Sequence, residues 1–204
     1  MFQHILSIGA YYIIFCILYR ALTACRLRRV EYLIQTIHDI VFIYHTSPHA
    51  YYAIADFRHL PQHSTAFDAI IWTFSFHLYR IAVHYQHFRY HDWFYLTERC
   101  VIAFLLGMYT FSPCLLGYNY FFLSAPFVLE YFILFLHENN WRAPLIQQWI
   151  GKWIRQPLCY VNHILTLLYM YYYTTRFDIH WWCGAIGIFL VYDTNEYYKR
   201  LLMV

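Results

Sequence analysis

Residues 2–22 read FQHILSIGAYYIIFCILYRAL and are followed at 26–29 by RLRR. These two stretches decide the fold class. About 20 consecutive apolar residues are what an α-helix needs to cross the hydrocarbon core of a bilayer, and a basic group just beyond such a run marks its cytoplasmic end. No basic segment precedes the run and no small-x-small cleavage site follows it. It therefore reads as a retained first span rather than a removed leader.

The rest of the chain repeats the pattern. Six further apolar runs occupy about residues 32–55, 66–85, 93–111, 114–136, 158–174 and 179–193. The second is the weakest, because it holds His38, Asp39, His45 and Pro48. Pro61, Pro113, Pro144 and Pro157 fall between runs, where loops belong. The expected fold is all-α: one transmembrane domain over residues 1–204, a polytopic helix bundle of seven spans, with six as the alternative.

Charge supports seven. Crossing from an outside N-terminus puts Arg26, Arg28, Arg29, Arg89, Arg142, Lys152, Arg155, Lys199 and Arg200 in cytoplasmic segments, and only Arg58 and Arg176 opposite. Arg20, Arg80 and Arg99 lie near cytoplasmic ends of spans, where they can snorkel. This is the positive-inside asymmetry. Omitting the second span would set 26–29 against the later basic segments and abolish it. The C-terminus is then cytoplasmic.

Composition agrees. With 61% hydrophobic and 12% charged residues, the chain lacks the polar surface of a soluble domain, in which about 25% of residues are charged. The aromatic share of 24% suits membrane interfaces, although biased codon usage would enrich the same residues. A net charge of +3 is too small to argue for nucleic acid. Six scattered cysteines without a CxxC pair suggest neither zinc nor a disulfide framework. His84-x2-His87-x3-His91 resembles one box of a membrane di-iron site, but there is no His-His pair, and one box cannot fill two iron coordination spheres. No metal and no other cofactor is expected. GxSxG, Walker and HExxH motifs are absent from the sequence.

Ionisable groups within spans are costly and mark candidate sites. His77, Arg80, His84, His87 and His91 recur at three- and four-residue steps and share one helical face. This cationic stripe can hold a phosphate or carboxylate headgroup, although the last three also read as solvated interfacial histidines. His38, His45 and His49 share another face, with Asp39 beside them. A His–Asp arrangement serves acid–base chemistry or a structural hydrogen bond between helices. Glu98 and Arg99 open the fourth span. Glu130 lies in the fifth, between Leu129 and Tyr131, where a carboxylate needs a partner. Arg80 and Arg99, on neighbouring spans, are the expected partners. The catalytic candidates are thus His38, His77 and Glu130; the lipid or headgroup candidates are Arg80, Glu98, Arg99 and Asp39. The segment 137–157 carries Trp141, Trp149 and Trp153 beside Arg142, Lys152 and Arg155. It reads either as an interfacial amphipathic segment or as a plain connecting loop.

Over about residues 31–150 the chain resembles the TLC-domain proteins, the lipid-associated family that includes ceramide synthases, translocon-associated TRAM proteins and small membrane-fluidity regulators. TIHDIVFIYHTSPH places His38 early in a span, as the family does after its first helix. FDAIIWTFSFHLYRI is similar to the family's aromatic span, with His77 and Arg80 near its Tyr/Asp positions. HDWFYLTERCVI matches the next span's leading aspartate with Asp92. LEYFILFLHENNWR resembles the Glu-x-Ser-x-x-Phe-Leu segment through Glu130, Phe135 and Leu136, with Phe132 in place of serine. Where the family's acyltransferases carry adjacent histidines, this chain has Glu98-Arg99, which removes the general base of that reaction. The resemblance implies a bundle around a lipid-accessible cavity, in the endoplasmic reticulum or another endomembrane, with a cytosolic C-terminus.

The leading expectation is a non-enzymatic, lipid-associated membrane protein whose partners are membrane lipids. His38, His77, Arg80, Glu98, Arg99 and Glu130 should converge on one cavity. The alternatives are a lipid-modifying, acyltransferase-like enzyme using His38 or His77, and a small seven-span transporter of the SWEET or PQ-loop kind. Against the transporter, Pro61-Gln62 falls in a loop and no internal repeat relates the first three spans to the last three. Homo-oligomers through transmembrane helices are compatible with the sequence.

Overall fold

The first apolar run folds as α1, Phe2–Ala24, in the computed structural model, which describes residues 2–55, 66–84, 113–140 and 149–173. This helix touches its neighbours along the stripe Tyr11, Phe15, Tyr19 and Leu22, the i, i+4, i+8, i+11 spacing of one helical face. Ile5, Leu6, Ile13 and Ile17 on the other faces are exposed. Among the described residues, Gln3–Ala24 is the one stretch long and apolar enough by itself to cross a membrane.

At the end of α1, the Cys25 N–H donates to the Ala21 carbonyl (3.2 Å) and the Arg26 N–H to the Thr23 carbonyl (2.9 Å). Arg26 (φ 57°) and Arg29 (φ 49°) adopt the left-handed conformation, which costs a non-glycine residue roughly 1–2 kcal/mol. Leu27, between them, packs on the core and offsets that cost. The chain thereby reverses within residues 25–29, and α2, Val30–Ala55, returns beside α1.

Pro48 does not interrupt α2. It lacks the N–H that would bond the Tyr44 carbonyl, but the Ser47 hydroxyl donates to that carbonyl at 3.1 Å. Such side-chain substitution is how proline is tolerated in helices away from water.

Helix α3, Ala66–His84, runs parallel to α1. Ring pairs Tyr11–Trp72 (5.1 Å), Phe15–Phe76 (5.2 Å) and Tyr19–Tyr79 (6.1 Å) step along both helices together. Helix α4, Pro113–Glu138, makes the most extensive interface among the described elements, with α2, and runs antiparallel to it. Tyr32 stacks on Tyr131 at 6.2 Å. Farther along, the Asn139 side chain accepts from the Arg28 N–H and donates to the Arg28 carbonyl, both at 3.0 Å.

Helix α5, Gln156–Tyr173, continues from a π turn at Gly151–Arg155, itself preceded by helical residues 149 and 150. Pro157 therefore lies inside a helical run, not in the gap expected of it. Its missing N–H and its ring disturb the preceding turn, and the wider π turn is where that disturbance is absorbed.

The described elements contain helices and no strand, so the fold is all-α. The five described helices coincide with the first, second, third, fifth and sixth predicted runs. The runs 93–111 and 179–193, and Pro61-Gln62, lie outside the described residues.

Candidate functional site

Two buried polar clusters form where α2 meets α3 and where α4 meets the π turn before α5. The first is built on His38 and Asp39, each 4% exposed. Adjacent residues on a helix diverge by about 100°, yet both are buried because α2 is covered by α3 on one side and α4 on another. The His38 Nδ1–H donates to Asp39 Oδ1 at 2.8 Å, and the Gln35 amide donates to the same oxygen at 3.0 Å. That short bond sets the imidazole tautomer. Nε2 is left to accept from the Thr73 hydroxyl of α3 at 3.3 Å. The Trp72 indole N–H donates to the His38 carbonyl at 3.0 Å.

Aromatic rings enclose the imidazole. Phe76 stacks on it at 4.2 Å, Phe42 lies at 5.8 Å and Trp72 at 6.2 Å, nearly parallel, with Phe15 of α1 at 6.3 Å. The Arg80 guanidinium also lies by Phe76, 5.9 Å from the ring centroid. His77 is half-buried, its ring 5.8 Å from that of Phe76. The structure thus brings His38, Arg80 and His77 around Phe76, with Asp39 bonded to His38.

The second cluster is Glu130 of α4 with Arg155 of the π turn, 3% and 4% exposed. Arg155 Nη1 donates to Glu130 Oε2 at 3.3 Å, and the guanidinium lies 5.9 Å from the Phe127 ring. The partner found is thus Arg155 and not Arg80, one of the two expected. Arg80 lies by Phe76 instead, and Glu98 and Arg99, the other expected partner, lie outside the described residues. The placement of Arg155 among loop cations is corrected, since it is a buried helical residue. The pairs Arg28–Asn139 and Tyr32–Tyr131 set the α2/α4 register, which puts Glu130 level with about residues 33–37, within roughly two turns of His38.

Around Arg155 the helix surface is amphipathic. Trp149 and Trp153 are 56% and 58% exposed, and the Lys152 ammonium lies 5.3 Å from the Trp153 ring. Trp141 and Arg142 fall outside the described residues, as do His87 and His91; His84 ends α3.

Gln35, Thr73 and Arg155 were missed as site residues. Gln35 could have been found, because it stands four residues before Asp39, within side-chain reach on a helix. Thr73 carries no such signal, since it depends on how α3 docks. Among the described residues, no group of three or more His, Cys, Asp or Glu is placed to hold a metal ion. No family model, no curated protein and no solved structure matches this chain.

Proposed function

We propose that this protein is a multi-pass membrane protein that binds or senses lipid, without catalysis, through its buried polar clusters. One observation carries the reading: ionisable groups lie buried beside the apolar core while many large apolar side chains are exposed. His38, Asp39, Glu130, Arg155 and Asn162 are buried, while Ile5, Ile17, Tyr44, Tyr51, Ile54, Ile164, Leu167 and Tyr171 are exposed on α1, α2 and α5. In water the opposite distribution is favoured; in lipid, ionisable groups turn to the bundle interior. The docking of Phe15 into the core favours a retained α1 over a removed leader.

Helix directions are compatible with seven crossings. Because α1, α3 and α4 run one way and α2 the other, α3 ends and α4 begins at opposite ends of the bundle, as a crossing between them requires. The N-terminus is then outside or lumenal and the C-terminus cytoplasmic, in the endoplasmic reticulum or another endomembrane, in keeping with the resemblance to TLC-domain proteins.

The test is extraction and labelling. The protein should stay in membranes at alkaline carbonate pH. Exposed Cys25, beside Arg26, should react with a membrane-impermeant maleimide from the cytosolic side only. Release by carbonate, or labelling of Cys25 from the lumenal side, would refute the topology.

A specific geometry favours a second reading, a lipid-modifying enzyme. Thr73 hydroxyl, His38 and Asp39 follow the order of a nucleophile, its base and the carboxylate that orients the base. The burial of His38 among four rings argues instead for a structural bond. On the lipid-binding reading, Thr73→Val costs about 1 kcal/mol or less and leaves cellular acyl lipids unchanged. A changed lipid profile, restored by Thr73→Ser, would establish catalysis.

A further inference from the structure

The Glu130–Arg155 pair is incomplete as a hydrogen-bonded unit. A guanidinium and a carboxylate that meet for structural reasons favour two parallel bonds, because the fork of one matches the two oxygens of the other. Here one contact is made, from Nη1 to Oε2 at 3.3 Å. Glu130 Oε1 and Arg155 Nε are both buried and have no hydrogen-bond partner among the described residues. An acceptor and a donor are therefore both offered from side chains more than nine-tenths buried.

Charge limits the chemistry of a ligand. The pair is neutral in sum, so a ligand that satisfies both atoms must itself present one donor and one acceptor without net charge. An anionic phosphate would meet the Glu130 carboxylate. An ammonium group would meet the Arg155 guanidinium. A hydroxyl beside an ester carbonyl fits both: the hydroxyl donates to Oε1 and the carbonyl accepts from the Nε–H.

Depth points the same way. Arg155 stands two residues, about 3 Å along the helix, from exposed Trp153, and Trp149, Lys152 and Trp153 have the composition of a membrane interface. The pair thus lies just beneath headgroup level, where the hydroxyl and esters of a neutral glycerolipid reside. The π turn that carries Arg155 aims it inward while Lys152 and Trp153 face out; π turns recur at functional sites.

We infer that Glu130 and Arg155 form a binding site for the headgroup of a neutral, hydroxyl-bearing glycerolipid of the diacylglycerol type. The inference rests on the lipid-associated reading above and names its ligand class.

The experiment uses the full chain in nanodiscs with three photoreactive lipids carrying the same diazirine acyl chain: a diacylglycerol, a phosphatidic acid and a phosphatidylcholine. The diacylglycerol probe should label α4 or α5 near Glu130 and Arg155. Excess unlabelled diacylglycerol should reduce that labelling at least tenfold, and phosphatidic acid should not. The double variant Glu130→Leu/Arg155→Met, which removes both polar groups together, should also lose labelling at least tenfold. Should that variant not fold, the competition on the unaltered protein decides the matter alone. Equal or better competition by phosphatidic acid, or full labelling of the folded double variant, would overturn the site while leaving a lipid-binding protein. If none of the three probes gives competable labelling anywhere on the chain, the broader lipid-binding reading fails with it.

Discussion

Arg155→Ala is expected to lower the stability of the protein by roughly 3–5 kcal/mol, because removing one partner of a buried ion pair leaves the other charge uncompensated. Glu130 would then be an almost fully buried carboxylate without its cation. Glu130→Ala should cost a similar amount by stranding the guanidinium. The double change Glu130→Leu/Arg155→Met should recover most of the loss, since replacing both members by apolar groups of similar volume removes the desolvation cost together with the attraction. Heat-resolved gel filtration in mild detergent would measure all three. If both single variants melt within about a degree of the wild type, where a change of even 1 kcal/mol should move the midpoint further than that, the pair does not meet in the interior. The docking of the π turn against α4 would then be wrong.

Phe15→Ala should produce the next largest loss, about 3 kcal/mol, the lower end of what truncating a core phenylalanine costs. Phe15 is fully buried and lies against Trp72 at 4.5 Å, Phe76 at 5.2 Å and Tyr79 at 5.7 Å. On the proposed membrane reading the lower end applies, because lipid tails are as apolar as the core and little transfer energy is at stake. The loss is then mainly the dispersion contact of a ring whose neighbours cannot collapse onto the space it leaves. Ile17→Ala, on the exposed face of the same helix, should change stability by less than about 0.5 kcal/mol. The same melting measurement compares them. Equal effects at the two positions would mean that α1 is not held by the Phe15 face.

The helices were largely legible in the sequence because long apolar runs punctuated by proline and basic residues leave few alternatives to helix. Five of the predicted runs have helices in place, and α2 begins before its predicted start because Val30 packs into the core. The inward face of α2 was half legible. The steps from His38 to His45 and His49 picked out one buried stripe, and His38 and His49 do lie inside. Asp39 is buried too, bonded to His38 and Gln35, and the spacing that marks the histidine stripe does not register a residue turned about 100° from it.

Arg155 was hard to foresee as a partner of Glu130 for a related reason. Arg155 sits beside Trp153 and Lys152, whose composition speaks of the membrane surface, and before Pro157, which usually ends a helix. A π turn adds a residue to the helical turn and rotates the helix beyond it. That rotation separates Arg155 from the exposed face to which its neighbours belong. Spacing rules built on 3.6 residues per turn cannot register such a shift.

The Glu130–Arg155 pair also has a consequence for inheritance. Two codons 25 residues apart specify one physical object, and either change alone passes through a poorly folded intermediate. A lineage can keep both residues or lose both with little harm to folding, but the single steps between those states are the ones that selection removes. The two positions should therefore behave as one heritable character, passed on or exchanged together.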